Sequence, residues 1–236
     1  MRMHQFLTTT QLQRFHFTDH HTPAAARICR RVLGRLHQLR VIEHLDRHIG
    51  GIRAGSASYV WRIGLIGDRL LQLHDGPSAR SRRKEPSPRY LFHRLAVADV
   101  HLALRDGDWR LDTVAAEPGC WRPFTGPNGA RQILKPDLYA VTISGDYEDH
   151  WFIEVDRATE SLPTLLKKCA QYQHYRASNQ EQQRHGVFPR VLWIVPTERY
   201  AEALRRAIAR TAHLPTELFR VCTVPSLPAA LQEPSA

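Results

Sequence analysis

The sequence predicts an α/β protein, α+β overall, in which a basic, largely helical domain precedes a domain built on a mixed β-sheet. All of the net charge of +10 lies in residues 1–89, which hold 16 Lys and Arg against 6 Asp and Glu, whereas residues 90–236 hold 17 of each. The basic part shows two helical patterns and a hairpin pattern, and the neutral part alternates helical with strand-like segments. A chain of 236 residues is long enough for two such domains.

The basic part begins with two helices and a hairpin. "LTTTQLQRFHF", residues 7–17, is a short amphipathic pattern that opens on threonines and ends near Phe17. The second helix has Thr22 at its capping position, Pro23 at its first helical position, and apolar residues at helical spacing. Two strand-like pieces around a glycine-rich turn follow in residues 41–64.

Helix, helix and hairpin in this order resemble a winged helix-turn-helix, a DNA-binding domain whose helix enters the major groove. The residues expected to reach phosphates or guanine edges are five arginines on the second helix and in the hairpin turn: Arg27, Arg30, Arg31, Arg35 and Arg53. A winged helix that binds another protein, with an ordinary solvated arginine face, is the alternative.

We therefore expect a winged helix-turn-helix domain at residues 1–75, a basic linker at 76–89, and a second domain at 90–236. The linker "GPSARSRRKEPSPR" is rich in Arg, Ser and Pro, which favours an exposed segment. The concentration of positive charge before residue 90 indicates a partner that is a polyanion, although a merely solvated basic surface would have the same composition.

The second domain alternates its element types. Helices are predicted at 89–106, 161–180 and 197–210, and strands at 108–118, twice within 135–161, at 190–196 and at 217–224. The two strands within 135–161 are close enough to form a hairpin, whereas the later strands are separated by helices. The order αβββαβαβ therefore predicts a mixed sheet.

Acidic residues lie at the open end of the central hairpin, before its first strand and at the end of its second. A two-residue turn at Gly145 and Asp146 would place Asp137 directly opposite Glu154, with β-carbons about 5 Å apart. Asp156, two residues along the strand, would lie on the same face of the sheet. A turn of odd length would break this pairing.

Three converging carboxylates repel one another unless some are protonated or a cation is bound. Oxygen ligands of this kind suit Mg²⁺ or Mn²⁺, so Asp137, Glu154 and Asp156 are predicted metal ligands. The alternative is that these acids pair with Arg157, Lys135 or solvent.

Three motifs carry a family resemblance: "KPD" at 135–137, "FIEVDRATES" at 152–161, and "LLKKCAQYQHY" at 165–175. With the pattern from residues 7–17 through 190–196, they resemble the replication-relaxation family of bacterial mobile elements. The resemblance implies a winged helix joined to a restriction-endonuclease-like domain of the PD-(D/E)XK superfamily, whose core has the order αβββαβ.

The same resemblance implies site residues. In that superfamily an Asp that opens one strand and an acid on the next hold the metal, which matches Asp137 and Glu154, whereas Asp156 occupies the position of the usual lysine. Related nucleases carry this lysine on the following helix, which implies Lys168 as its equivalent, with Gln171 and Tyr175 as supports. A solvated helix face is the alternative interpretation.

Two functions remain open from the sequence. The first is a Mg²⁺-dependent phosphodiesterase that nicks or cleaves DNA, and the second is a non-catalytic DNA-binding initiator or regulator on a nuclease-like scaffold. The expected partner is double-stranded DNA, with no membrane contact and with a homodimer as one candidate assembly. The lack of a long apolar run or secretion signal predicts a cytoplasmic protein with reduced cysteines.

Overall fold

The structure, a computed structural model, describes residues 1–17, 23–49, 58–76, 85–126 and 129–232. The fold is mixed α/β, as predicted, and divides into two compact units, Met1–Leu102 and Ala103–Ala236. The predicted DNA contact Arg53 and residues 77–84 of the predicted linker lie outside the described residues. Among the described residues, no helix combines the length and the apolar character needed to cross a bilayer.

The N-terminal unit contains a three-stranded sheet and four helices among its described residues. In chain order they are β1 (Leu7–Thr8), α1 (Thr9–His16), α2 (Pro23–Gln38), β2 (Ile42–Ile49), β3 (Ser58–Ile63), α3 (Leu65–Asp75) and α4 (Pro88–Arg105). The strand order is β1-β3-β2, and both pairings are antiparallel. The predicted order of helix, helix and hairpin is confirmed, whereas β1 and α3 were not predicted.

Helix α1 begins with a capping box. The Thr8 hydroxyl accepts a hydrogen bond from the Gln11 backbone N–H at 3.1 Å, and the Gln11 side-chain oxygen accepts one from the Thr8 N–H at 2.9 Å. Two backbone donors that the helix cannot satisfy internally are thereby paired. The reciprocal bonds explain why the helix starts at the threonine run.

Helix α4 packs mainly in the N-terminal unit, although the sequence assigned residues 90–106 to the second domain. Leu91 and Leu95 form one buried cluster with Phe6, Leu45 and Val60. The side-chain amide of Gln11 also donates to the Leu95 carbonyl at 2.9 Å. The compact unit that holds these contacts ends at Leu102, and the predicted division of the chain into domains stays a prediction.

The C-terminal unit contains a mixed five-stranded sheet, a two-stranded hairpin and several helices. The elements are β4 (Arg110–Ala116), β5 (Arg122–Thr125), β6 (Arg131–Leu134), β7 (Leu138–Ser144), β8 (Tyr147–Val155), α5 (Leu162–Ala177), α6 (Gln180–His185), β9 (Arg190–Ile194), α7 (Glu198–Ala209), a 3₁₀ turn (Thr216–Leu218), β10 (Phe219–Cys222) and α8 (Leu227–Gln232). The order in the main sheet is β10-β9-β8-β7-β4. The predicted helices and strands are all present, and the β5–β6 hairpin, α6, the 3₁₀ turn and α8 are additions.

The predicted register of the central hairpin is confirmed. Ser144 pairs with Tyr147 across a turn in which Gly145 has a φ of 58°, a conformation that favours glycine. Leu138 pairs with Ile153, so the next pair along the same register joins Asp137 and Glu154. Strands β8, β9 and β10 then run parallel, whereas β4, β7 and β8 are antiparallel, which gives the mixed sheet.

Strand β8 is central in the sheet and its end is fully buried. Trp151, Phe152 and Ile153 have no exposed surface. The Phe152 ring packs at 5.7 Å from the ring of Tyr172 on α5, within a core that α5 and α7 cover. Because side chains alternate along a strand, Glu154 projects to the same face as Phe152 and therefore toward α5.

Candidate functional site

Asp137 lies immediately before β7, and its side chain is bonded to the end of β8. One carboxylate oxygen, Oδ2, accepts a hydrogen bond from the Val155 backbone N–H at 2.8 Å, and the Asp137 N–H donates to the Ile153 carbonyl at 3.0 Å. The residue is only 6% exposed. These two bonds fix the Asp137 carboxylate beside Glu154, at the open end of the β7–β8 hairpin.

Glu154 is the most deeply buried acid of the site, with 1% of its surface exposed. Its Oε2 atom is 2.5 Å from the Lys168 ammonium nitrogen, and its Oε1 atom accepts a hydrogen bond from the Tyr172 hydroxyl. Both partners come from α5, which covers this face of the sheet. The Lys168 ammonium group thus supplies a positive charge beside the acids.

The electrostatics of this pair follow from burial. The pKa of Glu154 is raised from its ordinary value of 4.5 to about 7, mainly by burial. The positive charge of Lys168 opposes this rise, and the negative charge of Asp137 adds to it. Burial lowers the pKa of Lys168, but the charges of Glu154 and Asp137 outweigh burial and leave it above its ordinary value. Lys168 therefore stays protonated at neutral pH, and the pKa of Glu154 is raised toward neutral pH.

Asp156 is bonded to the turn that follows it and to α7. Its Oδ1 atom accepts from the Thr159 N–H at 3.2 Å, and its Oδ2 atom accepts from the Tyr200 hydroxyl at 2.9 Å. In the part of the chain that the structure describes, no group of three or more His, Cys, Asp or Glu side chains is arranged to hold a metal ion. The role of Asp156 as a third metal ligand stays a prediction.

The two expected supports on α5 also lie elsewhere. Gln171 is exposed, and the Tyr175 hydroxyl donates to Glu181 at 2.6 Å. Gln171 lies about 100° around the helix from Tyr172, outside the buried face. Tyr175 is buried one turn further along, where Glu181 also pairs with Arg122 at 2.7 Å. Of the predicted residues on α5, only Lys168 reaches Glu154.

Tyr172 and Tyr200 are contacts that sequence reasoning did not assign to the site. Tyr172 follows Lys168 by four residues, a spacing that places both side chains on one helix face and could have identified it. Tyr200 is 44 residues from Asp156 and has no local signal. Burial and the Asp156 hydrogen bond raise the pKa of Tyr200 to about 12, so its hydroxyl remains a proton donor at neutral pH.

Asp137 and Glu154 form a donor set that fits a hard divalent cation. Carboxylate oxygens are preferred by Mg²⁺ and Mn²⁺, and Mg²⁺ often takes only one or two protein carboxylates when phosphate and water oxygens complete its sphere. Each Glu154 oxygen accepts one hydrogen bond and retains a second lone pair through which it could bind such an ion. Because a ligating carboxylate must be ionised, occupancy should rise with pH through about 7.

The predicted DNA-contact residues on α2 form an exposed arginine stripe, which we define as Arg27, Arg30, Arg31 and Arg35. Their spacing of three, one and four residues places them along one side of the helix. Within the described ranges, none of the four side chains makes a hydrogen bond or an ion pair. The opposite side of α2 buries Ala25, Cys29 and Leu33.

Comparison with known proteins identifies the family of the chain. The family model described as Replication-relaxation matches residues 1–191, which include both the arginine stripe and the Asp137, Glu154 and Lys168 positions. The comparisons with curated proteins and with solved structures gave no match. The match covers well over half of the chain. The chain therefore belongs to the replication-relaxation family.

Proposed function

We propose that this protein binds duplex DNA through α2 and acts in the replication or relaxation of a plasmid or other mobile element. Its family membership supports a role of that kind. The observation that carries the DNA-binding part is the arginine stripe, which is exposed and makes no ion pair among the described residues. Arginines left free on one helix face can each contact a phosphate or a guanine edge.

The surroundings of α2 support this interpretation. Two helices precede the antiparallel β2–β3 pair, and the sheet order β1-β3-β2 is compatible with a winged helix-turn-helix. Helix α2 has 16 residues, which corresponds to about 24 Å, enough to lie along the major groove. The +10 charge of residues 1–89 adds a sequence-independent attraction to the DNA backbone.

A binding measurement with the full-length protein tests this proposal. We expect the triple variant Arg30→Ala, Arg31→Ala, Arg35→Ala to bind a duplex of about 30 base pairs at least ~100-fold more weakly at moderate salt, because each removed arginine forfeits a charge-assisted interaction. Equal affinity of wild type and triple variant would move the DNA contact away from α2.

A matched control removes the same charge from the C-terminal unit. The control variant replaces three exposed arginines on and just after α7: Arg199, Arg206 and Arg210. If the stripe is the contact, this variant binds DNA almost as tightly as wild type. Equal weakening of both variants would indicate a general electrostatic effect rather than recognition by α2.

A second candidate function is the hydrolysis of DNA phosphodiester bonds at Asp137 and Glu154. The contact between Lys168 and Glu154 favours it, because an ammonium group beside two metal-binding carboxylates is positioned to stabilise charge on a phosphate. A bound Mg²⁺ would supply Lewis-acid activation of the phosphate and a more acidic water. Asp137 and Glu154 would hold the ion, and Tyr172 would keep Glu154 oriented toward it.

Nicking of supercoiled plasmid in Mg²⁺ or Mn²⁺ tests the second function. Asp137→Ala and Lys168→Ala should each reduce the rate by ~10²-fold or more under saturating DNA, since each removes a group that stabilises the transition state. Lys167→Ala is the control, because this neighbouring lysine is exposed and points about 100° away.

The two functions fail in different ways. The wild-type protein could bind duplex DNA tightly and yet cleave neither supercoiled, linear nor single-stranded DNA with either metal. That result would exclude the nuclease function and leave the DNA-binding function standing. Equal loss of cleavage in Lys167→Ala and Lys168→Ala would indicate a nonspecific backbone contact instead of a catalytic lysine.

A further inference from the structure

A cavity of about 1130 Å³ lies along the edge strand β10 of the C-terminal unit, and neither Asp137 nor Glu154 lines it. Its walls come from β10 and the 3₁₀ turn before it, α7, the first turn of α8, the end of α5, and α6 with the segment that joins it to β9. Helix α6 ends at His185, and the φ of 77° at Gly186 turns the chain so that Val187 and Phe188 join the wall. The cavity is therefore separate from the candidate active site.

Positive charge predominates in the lining. Four arginines and two acids contribute to it: Arg176, Arg190, Arg205, Arg220, Glu198 and Glu217. Glu198 pairs with Arg205 at 2.7 Å, and Glu217 is 3.8 Å from Arg176. Four of the six charged residues of the lining are arginines, and one of these, Arg190, is also paired with Asp149 outside the lining. A concave wall concentrates the field of such charges on whatever enters the cavity.

Arg190 and Gln182 have polar atoms whose hydrogen-bonding capacity is not used. Arg190 packs over the Trp151 ring at 4.3 Å and donates from Nη2 to Asp149 at 2.6 Å, whereas its buried Nη1 has no partner among the described residues. The Gln182 side-chain oxygen, also from a lining residue, has none either within the described ranges. Buried polar atoms without partners are uncommon, and a bound water or ligand is one way in which their bonding is completed.

The remaining wall is apolar and suits a ring. Val187, Phe188, Leu218, Phe219 and Val221 all contribute to it. Small-molecule sites combine such an apolar wall with a few polar groups, in cavities of up to about 1,000 Å³. We infer that this cavity binds a nucleoside phosphate, either a free nucleotide or the 5′-phosphorylated end of a DNA strand, with the phosphate at the arginines and the base on the apolar wall.

The two acids favour a short ligand over a long strand. Glu198 and Glu217 are more than half exposed, at 52% and 64% of their side chains, so they would repel a phosphate backbone that continued past the arginines. A single nucleotide can place its phosphates on the arginines without running along both acids. This arrangement distinguishes the cavity from a general nucleic-acid groove.

Calorimetric titration of the full-length protein tests the inference. The ligands are dATP, inorganic pyrophosphate, and ten-nucleotide DNA strands that either carry or lack a 5′-phosphate. We expect saturable binding of dATP, at least tenfold tighter than that of pyrophosphate because the base adds contacts on the apolar wall. Arg176→Gln with Arg220→Gln should weaken it at least tenfold, whereas Arg206→Gln, on α7 but outside the lining, should not.

A second variant keeps the test valid if the arginine pair is needed for folding. Ala229→Phe fills space in the lining from an exposed position without changing charge, and it should also weaken dATP binding tenfold or more. Melting followed by circular dichroism verifies that each variant is folded. Strands that bind only when 5′-phosphorylated would identify the strand end as the source of the phosphate and support the inference.

Several results would overturn the inference. One is that the wild type does not bind dATP, or that it binds pyrophosphate as tightly as dATP. Another is that the Arg206→Gln variant loses as much dATP affinity as the Arg176→Gln, Arg220→Gln variant, or that the folded Ala229→Phe variant binds dATP as tightly as the wild type. Strand binding that is tighter than dATP binding and independent of the 5′-phosphate, measured with the arginine stripe removed, would indicate a backbone groove instead. None of these outcomes bears on duplex binding by α2, so failure here leaves the proposed function standing.

Discussion

Replacement of Lys168 by Met removes the ammonium group that neutralises Glu154 and keeps most of the aliphatic stem. In the wild type the Lys168 nitrogen is 2.5 Å from Glu154 Oε2, and Glu154 is 1% exposed while the Lys168 side chain is 29% exposed. The variant leaves a buried carboxylate with Tyr172 as its remaining side-chain partner among the described residues. We therefore expect a loss of stability whose size depends on whether Glu154 can take up a proton.

The magnitude follows from two limits. Removing one partner of a fully buried ion pair costs about 3 to 5 kcal/mol, and losing one hydrogen bond to a charged group costs about 1.5 to 3 kcal/mol. The partial exposure of Lys168 and the ready protonation of Glu154, whose pKa is already about 7, favour the lower range. We expect a decrease in the free energy of unfolding of about 2 kcal/mol at a pH of about 8.5.

The sign of the pH dependence is fixed by the raised pKa of Glu154. Between pH 4.5 and about 7 the carboxyl ionises in the unfolded chain but not in the folded protein, so stability falls as pH rises, and it levels off above 7. Without Lys168 the folded pKa rises further, so the decline continues above pH 7. The cost of Lys168→Met should therefore be smaller at a pH of about 6 than at about 8.5.

Urea unfolding in the presence of EDTA, followed by tryptophan fluorescence, measures this difference at both pH values. Lys167→Met is the matched control and should change the free energy of unfolding by less than about 0.5 kcal/mol, because Lys167 is exposed. Equal effects of the two substitutions, or a Lys168→Met cost that does not change with pH, would refute the buried-pair explanation.

Three further predictions concern the fold and the metal. Thr8→Ala should lower the free energy of unfolding of the N-terminal unit by about 1 kcal/mol in urea unfolding, and an unchanged value would mean that the capping box is not needed. Phe152→Ala should cost about 3 to 5 kcal/mol in the C-terminal unit, since the ring is completely buried; a cost below about 1 kcal/mol would contradict the packing. Mn²⁺ should raise the melting temperature of wild type but not of Glu154→Gln, and an equal rise in both would exclude Glu154 as a ligand.

The strand register of the site could be predicted because it depends on local information. The two-residue turn at Gly145 and Asp146 and the apolar runs on both sides determine which residues are opposite each other. The helix that follows the hairpin could also be predicted from its local pattern, whereas the choice of Lys168 on that helix came from the family resemblance. Register thus brought Asp137 and Glu154 together, and the resemblance added Lys168.

The features that the sequence did not predict depend on distant partners. The Asp156 carboxylate bonds to Tyr200, which no pattern around residue 156 could reveal. Helix spacing placed Tyr172 on the face of Lys168, but the bond from Tyr172 to Glu154 depends on how α5 packs on the sheet. In the same way, the apolar pattern of α4 predicts a helix but not which unit its leucines pack against.

The slope of the DNA-binding constant against salt concentration tests the central claim most directly. Full-length wild type and the triple variant of Arg30, Arg31 and Arg35 are titrated with the same duplex from about 50 to about 300 mM salt. Removing one arginine that neutralises a phosphate should reduce the slope of log K against log salt by about 0.9, so we predict a reduction of up to about 2.7 for the three substitutions together. An unchanged slope, with the affinity of the triple variant equal to that of wild type, would contradict the assignment of α2 as the DNA-contacting helix.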